Sequence, residues 1–148
     1  MGHSIEIIWD LGDQELSPGK YLTDHKVILN ENLTIDGGSS PDYGGSVSNI
    51  NPEQKLAAAV SSCFMMTFLA LAAKMKWPVK NYKDKAISYL GKNNEGRMYV
   101  NKIELNPQII FDNDFTISDD EMHKMKERSH KYCFIANSLS KDVEIKIN

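Results

Sequence analysis

The longest apolar run of the chain lies between Asn51 and Pro78, NPEQKLAAAVSSCFMMTFLALAAKMKWP, with no charged residue from Ala57 to Ala73. Its start is marked for a helix: Asn51 can cap it, Pro52 suits the first helical position, and Gln54 stands where a capping box needs its reciprocal partner. Its end is marked as well, since Lys74 and Lys76 complement the negative end of the helix dipole and Pro78 biases Trp77 away from helical angles. Ala57, Ala58, Ala59, Ser61 and Ser62 give the first half so little bulk that another backbone can approach, whereas Phe64, Met65, Met66, Phe68 and Leu69 make the second half large and soft. The run is at the short edge of what crosses a bilayer. Its serines, Thr67 and the absence of an aromatic belt at its first end predict instead a helix buried on nearly all sides of a soluble protein.

Short alternating stretches precede this helix. Segments 4–9, 20–30 and 33–36 read as strands separated by turns at Ser17-Pro18-Gly19 and Asn30-Glu31-Asn32, and together predict a small antiparallel sheet. The segment GGSSPDYGGSVSNIN that follows is too rich in Gly and Ser for regular structure, and loops of that length inside a domain are often functional. Beyond the helix, strands over 79–90 and 97–111 are joined by the turn signal Asn93-Asn94-Glu95-Gly96, and the alternation slips near Lys102 as a bulge would make it. A second helix starts at the capping box of Ser118 and Glu121, with Ile117 placed to staple onto Met122, and Met122, Met125, Ser129, Tyr132 and Cys133 on one face. Residues 134–139 predict a further helical turn and 143–147 a closing strand. This order predicts an α+β fold of small antiparallel sheets around a long buried central helix, in a single domain over 1–148. Two small sheets and one amphipathic helix cannot cover a helix that is apolar all round, so a homodimer is expected, its long helix packed near its symmetry mate.

Composition narrows the function classes. A chain of 148 residues with 41% hydrophobic and 25% charged residues can bury a sizeable core without staples. The formal net charge of -3, from 17 basic and 20 acidic residues mixed along the chain, makes no basic face, so neither nucleic acid nor a membrane is an expected partner. Two cysteines do not make a disulfide scaffold and no leader precedes the first strand, which predicts a reducing, cytoplasmic setting.

The cysteines, Cys63 within the long helix and Cys133 after the second one, are the candidate chemistry. Cys63 has apolar helical neighbours, Ala59, Val60, Met66 and Thr67, and can be a small hydrophobe in a core; such surroundings raise a thiol's pKa. Cys133 falls where one helix ends and another begins, with His130 three residues before it, a setting in which thiols ionise more readily but in which a core cysteine is also common. Cys63, Cys133 and His130 or His25 would suit zinc by residue type, yet their spacing matches no compact zinc motif, so neither a metal nor a cofactor is expected.

NPEQKLAAAVSSCFMMTFLALA, followed by ERSHKYCFIANSL, resembles the OsmC/Ohr family of thiol peroxidases, the osmotically inducible and organic hydroperoxide resistance proteins. The segment SSPDYGGSVSNINPEQ is closer to the OsmC-like branch, and the likeness runs through nearly the whole chain in order and spacing. The resemblance implies an intertwined α+β homodimer with an active site at each end of the subunit interface. It implies Cys63 as the peroxidatic cysteine, Cys133 as the resolving one, and Glu53 as the acidic residue of the NPEQ motif. The reaction would be reduction of an organic hydroperoxide through a Cys63 sulfenic acid and a Cys63–Cys133 disulfide, recycled by a dithiol such as a lipoyl group on another protein. Ideal helix geometry sets Glu53 and Cys63 roughly 15 Å apart along the axis and about 80° around it, so an action of Glu53 at the thiol would come from the other subunit. Glu53 alone would also serve the helix dipole. Thr23, His25, Tyr43, Phe64, Met66 and Phe134 are the candidate substrate-binding residues.

The family's N-terminal arginine has no counterpart: the stretch is YLTDHK, Thr23 takes the aligned position, and the only arginines are Arg97 and Arg128. His25, Lys20 and Lys26 are candidates for a replacement cation, with lysine the poorer match to a planar clamp. This departure keeps a second function in view, a dimeric protein of reduced or lost catalysis that holds an apolar small molecule between its subunits.

Overall fold

The computed structural model describes residues 1–112 and 114–148, in which the chain forms two compact units, Met1–Lys55 and Leu56–Asn148. The first unit carries an antiparallel sheet in the order β1 (Glu6–Ile8), β2 (His25–Asn30), β3 (Leu33–Gly37). The middle strand is shorter than the sequence predicts, because residues 20–24 run as an irregular approach to it. Only Val27, Gly37 and Gly38 of this unit are buried, while Ile5, Ile7, Ile8, Trp9, Leu16, Leu22, Leu29 and Leu33 are exposed. A three-stranded sheet with so little interior has no independent source of stability.

After β3 the Gly/Ser-rich segment closes on itself. Tyr43 and Gly45 donate their N–H groups to the Ser40 carbonyl at 2.9 and 3.0 Å, around a single 3-10 turn over Pro41–Tyr43. Gly45 lies so close to the Ser39 carbonyl that no side chain fits there. Gly37 and Ile50 form a parallel bridge that returns the segment to the edge of the sheet.

Helix α1 (Pro52–Lys74) starts with the reciprocal cap: Gln54 N–H donates to Asn51 Oδ1 at 2.8 Å and Asn51 N–H to Gln54 Oε1 at 3.0 Å. It ends in a Schellman motif, with Trp77 N–H on the Ala72 carbonyl at 2.9 Å, Lys76 N–H on the Ala73 carbonyl at 3.1 Å, and Lys76 in the left-handed region at φ 57°. Ala57, Val60, Phe64, Phe68, Leu71 and Ala72 form the buried stripe. Val60, Phe64 and Phe68 meet Ile103, Leu105, Met125 and Cys133 in the core, each large side chain contributing roughly 1.5–3 kcal/mol. Ala58, Ala59, Ser62, Met66, Ala70 and Ala73, on other faces of the helix, are exposed in a single chain. By length and composition α1 could cross a membrane, at mean hydropathy 2.0, but a third of that window, 33%, is buried inside the folded chain.

Where two long strands are predicted, four form. The stretch 79–90 divides into β4 (Val79–Lys83) and β5 (Ile87–Lys92), and 97–111 into β6 (Met98–Leu105) and β7 (Gln108–Phe111). β4 pairs with β7 and β5 with β6, both antiparallel. Pro107 cannot donate to a ladder, and at the facing break Asp84 turns its carboxylate inward, accepting from Asn106 N–H at 2.6 Å and from Ser61 Oγ on α1 at 2.5 Å. The predicted bulge is present: Tyr89 opposes Lys102 and Leu90 opposes Val100, leaving Asn101 extra, with Gly91 keeping open the space that the Asn101 amide occupies.

The Asn93–Gly96 turn forms as the sequence predicts, with Gly96 at φ 78°. Helix α2 (Asp119–Tyr132) has its complete capping box at Ser118 and Glu121. Its buried residues are Met125 and Ser129; Tyr132, expected on that face, is 50% exposed because Cys133 leaves the helical path and takes the inward position itself. The further helical turn is α3 (Phe134–Ser138), and the closing strand β8 (Glu144–Ile147) joins β6 in parallel, so this sheet is mixed rather than wholly antiparallel.

Candidate functional site

Cys63 and Cys133 meet within the second unit. Cys63 occupies the middle of α1, half-buried, its carbonyl accepting from Thr67 Oγ1 at 2.9 Å. Cys133, fully buried, is the hinge residue between α2 and α3; its N–H donates to the His130 carbonyl and its carbonyl accepts from Asn137 N–H, both at 3.1 Å. Its sulfur accepts from Ala136 N–H at 3.5 Å, and the Cys63 side chain, packed against the same core cluster, is its neighbour. Both thiols are free.

Burial pushes the Cys133 thiol up to about 11, against the backbone N–H of Ala136 and with the neighbouring Cys63 sulfur adding to the rise. Cys133 is therefore a thiol at neutral pH. The sign of the linkage follows. Below its ordinary value near 9 the group is protonated folded or unfolded; between about 9 and 11 only the unfolded chain ionises, so stability falls over that interval. Tyr82, raised by burial first and by Asp84 second, acts in the same direction at higher pH. Urea midpoints measured from pH 8 upward should fall between about 9 and 11 less steeply in Cys133→Ala than in the unaltered chain.

The remaining side chains singled out from sequence divide between core and surface. Phe64 is 1% exposed and belongs to the core, whereas Met66, three residues after Cys63 on α1, is 58% exposed and Phe134, directly after Cys133, is 81% exposed.

In the first unit, Thr23 Oγ1 meets Ser39 Oγ at 2.7 Å and accepts from Ser39 N–H at 3.0 Å, tying the approach to β2 onto the Gly/Ser-rich segment. Thr23 and Tyr43 also line a groove of about 570 Å³ with Leu16, Tyr21 and Leu22. His25 Nδ1 lies 2.7 Å from the Thr23 carbonyl and so carries the proton there, which turns the Nε2 lone pair toward Lys55 Nζ at 3.4 Å. Gly37, paired with His25 across the sheet, makes room for both; a Cβ there would lie 2.8 Å from Lys55 Nζ. Lys20 and Lys26 are held by Glu15 and Asp36 in exposed ion pairs, whereas among the described residues neither His25 nor Lys55 has a carboxylate partner. Lys55 is the residue that reading by motif missed. The signal for it was the glycine opposite His25, which only strand register reveals.

Glu53 is half-buried, and its Oε2 is buried with no hydrogen-bond partner among the described residues. A buried carboxylate oxygen without a donor is costly, which marks it as a group awaiting one.

Comparison with known proteins places the chain. The family model for OsmC-like protein matches residues 44–148, and the chain belongs to the OsmC-like family. An OsmC-like protein of unknown function from Vibrio cholerae superposes with a TM-score of 0.90 at 33% identity, covering 100% of this chain and 99% of that one. An organic hydroperoxide resistance protein from Elizabethkingia anophelis gives a TM-score of 0.72 at 19% identity, covering 99% of this chain and 95% of the other. The organic hydroperoxide resistance protein OhrB of Bacillus subtilis gives 0.67 at 14%, covering 98% and 96%. At such identities these last two share the fold. No curated protein matches the chain.

Proposed function

We propose that the chain is a thiol-dependent peroxidase of organic hydroperoxides, working as a cytoplasmic homodimer. The observation that carries this reading is the contact of two free thiols far apart in sequence, one half-buried and one enclosed. Enclosure keeps Cys133 from competing for the oxidant, so the hydroperoxide meets Cys63. The Cys63 thiolate attacks the O–O bond; one oxygen stays on sulfur as sulfenic acid and the other leaves as an alcohol after taking a proton. Cys133 then attacks the Cys63 sulfur, its own proton leaving with the hydroxyl as water, and the disulfide forms. A dithiol, free or lipoyl-bound on a carrier protein, restores both thiols by exchange and becomes a disulfide itself.

A dimer is supported from both units. The exposed apolar residues of the N-terminal sheet and the small-residue faces of α1 need cover that a single chain does not give, and the Glu53 oxygen that lacks a donor among the described residues needs a partner group. Met66 and Phe134, exposed on the second unit, supply apolar contact for the organic part of the substrate. With a dithiol present, cumene hydroperoxide should disappear catalytically, followed by its absorbance or by a xylenol orange assay. Failure to consume it, with a ligand retained in native mass spectrometry, would replace this reading by the small-molecule-binding one, which the groove and the lack of an N-terminal arginine favour.

A further inference from the structure

The short helix after Cys133 is built around the sulfur that the proposed reaction consumes. Helix α3 has five residues, Phe134–Ser138, and none of them is buried. A helix this short does not hold itself together, because each of its few hydrogen bonds must offset the fixing of several backbone angles. Ile135 and Ala136 rest partly buried against the core, and the rest of what holds α3 is local: Cys133 Sγ accepts from Ala136 N–H at 3.5 Å as its N-cap, the Cys133 carbonyl accepts from Asn137 N–H at 3.1 Å, and Asn137 Nδ2 donates to the Lys131 carbonyl at 2.9 Å. The cap is thus the Cys133 sulfur, and its other neighbour is Cys63.

A disulfide brings two sulfurs to about 2.05 Å with a fixed dihedral near 90°, and so recruits the lone-pair directions and the position of each sulfur. Cys63 cannot travel far to meet this geometry, since it sits in the middle of a 23-residue helix whose buried stripe is packed on the core. The softer side must move. Cys133 lies at a non-helical hinge, φ -72° and ψ 111°, followed by an element with no buried residue.

We propose that closure of the Cys63–Cys133 disulfide withdraws the sulfur cap from α3, so that residues 134–138 are helical in the dithiol form and frayed in the disulfide form. The fold thereby carries a redox-sensitive switch that changes the backbone beside Phe134, which is 81% exposed on the surface. The inference rests on the pairing of the two cysteines under the proposed function, but not on peroxidase activity, because the same disulfide can be closed by diamide. Diamide takes up the two electrons and two protons of the thiols and becomes a hydrazine, leaving the S–S bond.

The experiment is hydrogen–deuterium exchange on peptides covering residues 131–140 in the full chain. It compares reduced protein with diamide-treated protein whose mass has fallen by about 2 Da, the two hydrogens lost on disulfide formation. Exchange at Ala136–Ser138 should rise about fivefold in the disulfide form, the equivalent of one cap worth about 1 kcal/mol, while α1 and β6 keep their protection. Cys133→Ala under reducing conditions should reproduce the fast exchange without any oxidant. Cys63→Ser should stay protected with or without diamide, since its cap remains and no internal bridge can form. Equal exchange in the two redox forms, or full protection of α3 in Cys133→Ala, would overturn the switch, as would a failure of diamide to close the bridge. If diamide closes it and cumene hydroperoxide does not, the switch stands and the peroxidase reading falls.

Discussion

Cys63→Ser should abolish reduction of cumene hydroperoxide, by at least about 10³-fold, while leaving the fold intact. The hydroxyl is close in size to the thiol and Cys63 is half-buried at the margin of the core, so little packing is lost. What is lost is the only sulfur of the pair that a substrate can approach. Cys133→Ser should behave differently. Its buried position holds a thiol that burial keeps protonated, a poor first nucleophile but a good donor of the proton that leaves with water in the second step. That variant should still react once with hydroperoxide and then stop as Cys63 sulfenic acid, which dimedone captures and mass spectrometry reads. The measurement is steady-state loss of hydroperoxide for each variant beside a single-turnover trap. Unchanged turnover in Cys63→Ser would remove the first thiol from the reaction, and a Cys133→Ser variant that cycles as fast as the unaltered chain would remove the second.

The parts of this molecule that were legible in the sequence are those written in local chemistry. The reciprocal cap of Asn51 and Gln54, the capping box of Ser118 and Glu121 and the turn closed by Gly96 appear where residue type and spacing put them, and the slip expected near Lys102 falls at the adjoining Asn101. The misses have physical reasons. Pro107 inside an apparent strand was a readable break, and passing over it merged β6 with β7. The end of α1 uses Lys76 at φ 57°, a conformation that glycine usually marks, so composition there pointed to Pro78 instead. Parallel pairing of β8 with β6 joins segments remote in the chain and leaves no local trace. At the candidate site the two thiols were legible as motifs, yet their different burial was not, because an identical residue type can stand at 0% exposure or half-buried depending on what packs against it. Lys55 escaped for a similar reason: its relation to His25 passes through the register of β2 against β3.

Asp84→Ala is expected to be the most destabilising single change outside the apolar core. One carboxylate at the break between β4 and β5 performs two tasks: Oδ1 takes the N–H of Asn106 at 2.6 Å, which fixes the facing break between β6 and β7, and Oδ2 takes the Ser61 hydroxyl, which ties α1 to the doubled hairpin. Alanine leaves both donors without their acceptor. Hydrogen bonds to a charged group are worth about 1.5–3 kcal/mol each, and Asp84 is only half-buried, so water can reach part of what is vacated. The lower end of the range applies, for a combined loss of about 3 kcal/mol. A domain of this size shifts its midpoint by roughly 2–4 °C per kcal/mol, which gives a fall of roughly 6–12 °C in thermal unfolding followed by circular dichroism. Asp84→Asn should lose less than half as much, because its amide oxygen keeps the Asn106 N–H and the Ser61 hydroxyl can rotate to accept from the amide nitrogen. Ser61→Ala removes one donor and leaves the carboxylate its other partner, and belongs with the milder variant. The order Ala, then Asn, then the unaltered chain is what the shared carboxylate requires. Equal midpoints for all three would mean that Pro107 alone bends the strands and that the tie from Ser61 to the hairpin carries no stability.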